Sequence, residues 1–151
     1  MEILSVIIIL AIVVGISIPA VLTTVNGSKE KALQTAASSV ADWVDRQYQV
    51  IVTGLDTAGV ATLDSNFTAF CGATAANCTG TNPYSTNSAT GNVGANFIIA
   101  AGQKTSNVAE IQVKINPNTG RSCVKVIAAT SGDFQYSGAS AAADYKEGGA
   151  C

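Results

Sequence analysis

The sequence predicts an α+β protein in which a long N-terminal helix precedes a head built on a small antiparallel sheet. Three observations predict this fold class. Residues 3–22 are mostly apolar, residues 33–51 place apolar side chains at helical spacing, and residues 109–115 alternate apolar and polar side chains.

Composition excludes several classes of function. The chain has 151 residues, which is room for one ordinary domain. It contains no histidine, so the commonest general base and the commonest neutral metal ligand are absent, and most hydrolase triads and zinc sites are excluded. Charged residues make up 12% of the chain and hydrophobic residues 48%, with a mean hydropathy of +0.33. This balance indicates a chain that is partly covered by lipid or by its own neighbours.

The N-terminal segment Ile3–Leu22 carries the strongest signal. Sixteen of its twenty residues are apolar, and no charged residue lies between Glu2 and Lys29. Twenty helical residues rise about 30 Å, which matches the hydrocarbon thickness of a bilayer, so the segment can span a membrane. A cleavable signal peptide is disfavoured, because it requires a positive N-terminal region and the early charge here is the carboxylate of Glu2.

Beyond this segment, apolar residues recur along one helical stripe. The stripe consists of Leu33, Ala36, Ala37, Val40, Val44, Tyr48 and Ile51. We expect Asp42 and Asp45 to lie off the stripe on a solvated face. The pattern predicts one helix of about 50 residues, about 80 Å long. Residues 1–26 would form a hydrophobic membrane or filament-core helix, and residues 27–151 would form the head, including the amphipathic half of the helix at 27–53.

Glu2 and Pro19 are unusual in an apolar helix. A carboxylate at the edge of such a run costs several kcal/mol if it enters a dry environment without a partner. Proline removes a helical hydrogen bond, and Gly15 further weakens the same stretch. A plain membrane anchor needs none of these residues. Glu2 and Pro19 are seventeen residues apart.

These residues resemble the N-terminal region of the type IV pilins and their relatives, the pseudopilins. In that family a single glutamate in an apolar run is followed by a proline at the same spacing as Glu2 and Pro19. The resemblance is strong over residues 1–50 and loose after them. Family members carry a few more residues ahead of the glutamate, including an N-methylated first residue that the prepilin peptidase produces. Either such residues are missing before Met1 or the mature N-terminus is unusual, and we favour missing residues.

The resemblance implies that the second half of the helix packs on a small antiparallel sheet, and it assigns two roles in the first half. Glu2 would pair with the N-terminal amine of a neighbouring subunit and so fix the docking register. The alternative is a carboxylate that merely sits at the lipid interface. A second segment would lose helical structure on assembly, although a gentle kink is the simpler interpretation. That segment consists of Gly15, Ile16, Ser17, Ile18 and Pro19.

The head shows strand signals near its C-terminal end. Residues 109–115 alternate as a half-buried strand does, residues 116–120 read NPNTG and predict a turn, and residues 121–129 can return as a second strand. Residues 96–102 predict a third strand. The segment around Cys123 could instead be a helix, because short apolar runs do not distinguish the two.

Four cysteines lie in the head, namely Cys71, Cys78, Cys123 and Cys151. An even number in an exported head indicates disulfides, and three pairings are possible. We favour Cys71 with Cys78 and Cys123 with Cys151, since a C-terminal cysteine bound to a strand resembles the disulfide-bounded C-terminal region of the family. A zinc site of four thiolates is the alternative, which the lack of any CxxC pair disfavours.

Motifs for catalysis or ligand binding are missing from the sequence. It has no GxSxG, no GxxxxGK and no dense carboxylate cluster, and its eight lysines and arginines are scattered. We therefore expect no enzyme activity, cofactor, metal site or direct nucleic-acid site. SxxK spacing occurs at 28–31 and 122–125 without the partner motifs of serine acylases. Asn26, Asn66 and Asn77 begin glycosylation sequons, which are common by chance in such a chain.

The resemblance implies a structural function. The chain would be the major subunit of a type IV pilus, held in the bacterial inner membrane and then moved into an extracellular filament of identical subunits. Implied partners are further copies, the inner membrane, the pilus assembly machinery and the prepilin peptidase. Whole pili serve adhesion, motility, DNA uptake or conjugation, and the residues do not select among these. A type II secretion pseudopilin or a minor pilin is the alternative within the family, and a membrane-anchored extracytoplasmic binding domain is the alternative outside it.

Overall fold

A computed structural model describes residues 2–54, 63–134 and 142–146, and at residues 2, 17–20 and 143–146 the description covers the backbone alone. Within these ranges the fold is α+β, as predicted: a long N-terminal helix packs on a small antiparallel sheet, and two short helices complete the head. The elements are α1 (Glu2–Thr53), α2 (Ser65–Cys71), β1 (Tyr84–Ser85), α3 (Val93–Ala100), β2 (Val108–Asn116), β3 (Arg121–Ala128) and β4 (Ala142–Lys146).

Helix α1 is continuous over 52 residues, which corresponds to a length of about 78 Å. Its backbone stays helical through Gly15 and Pro19, so the single chain shows no break there. A continuous helix is also the structure that lipid favours, since each unpaired backbone group there would cost several kcal/mol. Loss of helix at residues 15–19 on assembly stays a prediction.

The second half of α1 supplies one side of the core. Leu33, Ala37, Val40 and Val44 are fully buried and Tyr48 is 7% exposed, so the predicted stripe is confirmed. The stripe packs on the inner face of the sheet, where alternate residues of β2 and β3 are buried. Burial in this half follows from helical periodicity, because side chains three and four positions apart share one face.

Among the described residues, the sheet has four antiparallel strands in the order β1-β2-β3-β4. The predicted hairpin is confirmed as β2 and β3, with Asn116 opposite Arg121 and the Gly120 N–H donating to the Asn116 carbonyl at 2.8 Å. Gly120 has a φ of 70°, a left-handed conformation that glycine adopts without steric cost. Cys123 lies in β3, so the helical alternative for that segment is wrong.

The prediction of a third strand at residues 96–102 is wrong, because most of that segment belongs to helix α3. Phe97, Ile98 and Ala101 are buried at helical spacing, whereas Ile99 is 61% exposed. A short apolar run of this kind is compatible with either structure from its sequence alone. Only a two-residue strand, β1, pairs with the outer edge of β2 in the described part of the chain.

Loop residues form hydrogen bonds with other backbone groups on that edge of β2. The Thr86 N–H donates to the Ile111 carbonyl at 2.9 Å, the Ile111 N–H donates to Thr86 Oγ1 at 3.0 Å, and the Ile115 N–H donates to the Cys78 carbonyl at 2.7 Å. Helix α3 then packs close to the same loop at Gly94, where an added Cβ would collide with the Thr86 carbonyl oxygen. An edge covered in this way does not template further strands.

An aromatic cluster joins α2 and α3 to α1. The ring centroid of Trp43 lies 5.8 Å from that of Phe67 and 5.3 Å from that of Phe97, both in edge-on geometry. Phe70 in turn lies 4.1 Å from Phe97 and 4.9 Å from Tyr84. Such pairs contribute about 0.5–1.5 kcal/mol each beyond their buried area, so they hold the short helices on a head whose sheet is small.

Candidate assembly site

The first half of α1 presents a continuous apolar surface. Every large apolar side chain described between Ile3 and Val25 is 43–78% exposed. The most apolar 18-residue window of the helix has a mean hydropathy of 2.9, and none of it is buried. The helix is therefore long and apolar enough to cross a membrane, by length and composition. A surface of this kind can lie in lipid or against other apolar helices.

Glu2 is the first residue of α1, at the end of this apolar surface. Its side chain and the side chains of residues 17–20 lie outside the described part, so the pairing expected of Glu2 stays a prediction. Gly15 is described, and an added Cβ there would meet nothing within 4 Å. Packing inside the single chain therefore does not require glycine at position 15. Position 94 differs, because a Cβ there would collide with the Thr86 carbonyl oxygen.

The junction between α1 and the sheet corrects one sequence-based expectation. Asp45 is 5% exposed rather than solvated. Its Oδ1 accepts the Ser122 N–H at 2.8 Å, and its Oδ2 lies 3.7 Å from Nη1 of Arg121. The Ser122 hydroxyl donates to the Ala41 carbonyl at 3.3 Å. Asp45 therefore fixes the start of β3 against the helix. In the sequence, this role was indicated only by the position of a polar residue at the edge of an apolar stripe.

Asp45 Oδ2 is buried without a hydrogen-bond partner among the described residues. The neighbouring Arg121 side chain is 49% exposed. A carboxylate oxygen placed in this way gains Coulomb energy from the guanidinium but lacks the short charge-assisted bond that would best stabilise it. The junction therefore depends chiefly on the bond from Oδ1 to the backbone of Ser122.

The disulfide predicted between Cys71 and Cys78 is present, with its Cα atoms 5.1 Å apart. Both cysteines are fully buried, and the carbonyl of Cys78 is the group that accepts the Ile115 N–H. Cys123 is also disulfide-bonded, whereas Cys151 lies outside the described residues. A zinc site of four thiolates is therefore wrong, because oxidised cysteines offer no thiolate ligands.

A polar cluster around Glu110 connects β1 to β2. The Glu110 carboxylate accepts hydrogen bonds from Ser85 Oγ at 2.6 Å, from Gln112 Nε2 at 2.8 Å and from Asn87 Nδ2 at 2.9 Å. These bonds, that of Ser85 foremost, together with the nearby charge of Lys125, lower the pKa of Glu110 below its ordinary value. Partial burial opposes this effect without reversing it.

The serines of the two SxxK pairs are engaged in structural hydrogen bonds. Ser28 Oγ donates to the Thr24 carbonyl at 2.9 Å within α1, and the buried Ser122 hydroxyl donates to the Ala41 carbonyl. Neither geometry resembles a nucleophile next to a base. Among the residues that the structure describes, no group of histidine, cysteine, aspartate or glutamate side chains could hold a metal ion.

Comparison with known proteins does not extend the resemblance. A scan against protein-family models, a search of curated proteins and a search of solved structures each found no match for this chain.

Proposed function

We propose that this chain is a structural subunit that polymerises into a type IV pilus filament, as its major pilin. The observation that carries the proposal is the exposed apolar half of α1, which continues without interruption into a helix that is built into the head. A folded head fixed on a long apolar stalk is the form required of a subunit whose stalks pack together and whose heads coat the outside.

Two environments cover the apolar half before and after assembly. Burying a large apolar side chain is favourable by about 1.5–3 kcal/mol relative to water, and this segment exposes more than ten of them between Ile3 and Val25. The subunit would therefore wait in the bacterial inner membrane and move directly into the filament core. The pilus assembly machinery and the prepilin peptidase are the partners that this route requires.

Glu2 would select the correct docking position. In the filament its carboxylate would meet the N-terminal amine of a neighbouring subunit, and the attraction of this pair strengthens in a dry environment. A subunit that docked in a wrong axial position would leave the charge buried without a partner. The open space around Gly15 would let neighbouring stalks approach closely, as small residues do in membrane helices.

The alternatives share part of this structure. A membrane-anchored binding domain would also need an apolar helix, but it has no use for a carboxylate at Glu2 or for the weak stretch that ends at Pro19. A pseudopilin or a minor pilin would share both features. The described disulfide between Cys71 and Cys78 favours a subunit that is exposed outside the cell.

The test compares Glu2→Ala with Glu30→Ala, an exposed acidic residue on the same helix. We expect Glu2→Ala to lower the filament yield and to enlarge the membrane-held pool while the head stays folded, because docking specificity is lost and core packing is not. Glu30→Ala should assemble as the unmodified chain does. Normal assembly of Glu2→Ala would refute the role of Glu2.

A filament map tests the proposed conformational change. Extension of residues 15–19 would lengthen the stalk from about 1.5 Å toward about 3.3 Å per residue and let packed stalks adjust their axial spacing. Unbroken helical hydrogen bonding from Val13 through Leu22 in the filament would contradict this part of the proposal.

A further inference from the structure

The second half of α1 has an exposed polar face on the side away from the head. Lys31, Thr35, Asp42 and Arg46 are all exposed, and their spacings of four, seven and four residues place them on one side of the helix. The opposite side is the buried stripe of the core. We call these four residues the outer stripe of α1.

The geometry of the helix brings a neighbouring copy to this stripe. If the proposed function holds, the apolar halves of two copies pack side by side, and α1 continues straight from that half into the outer stripe. The head occupies the other side of the helix, so a neighbouring helix can follow α1 only along the outer stripe. Two helices packed in this manner diverge slowly, since their preferred crossing angle is about 20°.

The stripe is complementary to a copy of itself at one particular stagger. Asp42 lies eleven residues after Lys31, and Arg46 lies eleven residues after Thr35. Eleven residues complete about three helical turns, so a displacement of about 16.5 Å along the axis keeps both residues of each pair on the same face. In a parallel copy displaced by this amount, Lys31 of one chain lies beside Asp42 of the other.

A groove lies at the level where Arg46 of that copy would arrive. The groove is a shallow, open depression of about 420 Å³ on the surface of α1 itself, lined by Lys31, Gln34, Thr35 and Ser38. The Gln34 amide and the two hydroxyl groups offer oxygen acceptors to a guanidinium group, which carries five N–H donors and no acceptor. Lys31 places a positive charge at one end of the groove. Asp42 of the second chain, the chain that supplies the arginine, would balance this charge.

We propose that the outer stripe of α1 binds a second, parallel copy of this chain displaced by eleven residues, through a Lys31–Asp42 ion pair and insertion of Arg46 into the groove beside Thr35. This inference rests on the proposed function and deepens it, because it gives the axial stagger between two neighbouring subunits. Such pairs contribute modestly one at a time, but a filament holds many copies of them.

Charge reversal tests the ion pair. Lys31→Glu and Asp42→Lys each turn the attraction into a repulsion, and each is expected to lower the filament yield by about fivefold or more, while the double variant restores the yield. Lys104→Glu is the matched control, since it makes the same charge change at an exposed position on the head. A filament yield in the double variant as low as that in the single variants would overturn the inference.

Disulfide trapping tests the stagger directly. Filaments of the Lys31→Cys, Asp42→Cys double variant should give linked dimers under mild oxidation, because the outer stripe of each chain faces one neighbour. The Lys31→Cys, Arg46→Cys variant, which is wrong by four residues, should give none. Filaments of the first variant without linked dimers would overturn the stagger and leave the proposed function intact. Absence of any filament from the unmodified chain would overturn both.

Discussion

The two halves of α1 share one backbone helix but differ in what covers them. In the half that packs on the head, Leu33, Val40 and Val44 are completely buried, and the polar Asp45 is hydrogen-bonded to the sheet. In the other half, Ile3 is 78% exposed and Leu10 is 57% exposed. The first kind of surface is satisfied within the chain, whereas the second is stable only in lipid or against another chain. The difference teaches that the sequence of one half determines how the head packs, whereas the sequence of the other half determines that the chain must be covered by lipid or by another chain.

The largest expected effect comes from placing the same charge in each half. Val40→Asp would bury an unpaired carboxylate in the core and should destabilise the head by about 4 kcal/mol or more. Val14→Asp, at a position that is 53% exposed, should leave the stability of the head unchanged and abolish membrane retention and assembly. Fluorescence of Trp43, the sole tryptophan, during urea unfolding in detergent measures the stability of each variant. Equal destabilisation by the two variants would break the comparison.

The next largest effect concerns the disulfide of the head. Replacing Cys71 and Cys78 together by alanine should destabilise the head by about 2.5 kcal/mol, because an eight-residue loop regains its freedom in the unfolded chain. The disulfide lies in the head and does not involve the apolar half of α1, so the extraction of the chain from the membrane by detergent should be unchanged. The same urea titration, run beside a detergent-partition assay, checks both statements. A head as stable as the unmodified one would contradict the first.

A smaller effect is expected at the junction between α1 and the sheet. Asp45→Ala would leave the buried Ser122 N–H without its acceptor, which costs about 1–3 kcal/mol. Asp42→Ala is the control, because Asp42 is exposed three residues earlier on the same helix and surface changes usually stay within about 0.5 kcal/mol. Hydrogen exchange of the Ser122 amide reports the bond directly. Unchanged protection of that amide in Asp45→Ala would show that Asp45 does not hold the strand.

The smallest effect belongs to Glu110, far from the apolar half. Its folded pKa is lowered, so it contributes stability at neutral pH that begins to fade as the pH approaches the unfolded value of about 4.3 and is lost as the pH falls through the folded pKa. Glu110→Gln should lower the stability of the head by about 1 kcal/mol at pH 7. The difference between the two chains should narrow below pH 4.3. A difference that stays constant from pH 7 to pH 3 would rule out this linkage.

Periodicity predicted most of the secondary structure, because it reflects which side of an element is covered. The stripe from Leu33 to Ile51 and the alternation from Ile111 to Ile115 were sufficient to predict the helix and the hairpin. Residues 96–102 misled the prediction because so short an apolar run fits both the helical and the strand spacing. The two-residue strand β1 is too short to leave any pattern.

The candidate site was only partly visible in the sequence. The apolar surface and the spacing of Glu2 and Pro19 are local patterns, so they could be read directly. Asp45 could not, because its partner Ser122 is 77 residues away, and an aspartate beside a helical stripe is ordinarily solvated. The outer stripe was not identified from the sequence, although the exposure of Asp42 was expected there. The shallow groove beside Thr35 was found only in the structure.

Electron microscopy of filaments sheared from cells that produce this chain, with mass spectrometry of their subunit, tests the central claim most directly. We predict filaments composed of this chain, with residues 3–25 in the filament interior and the disulfide-bonded head outside. A chain that stays in the membrane fraction under the same conditions, with no surface filament that contains it, would contradict the account.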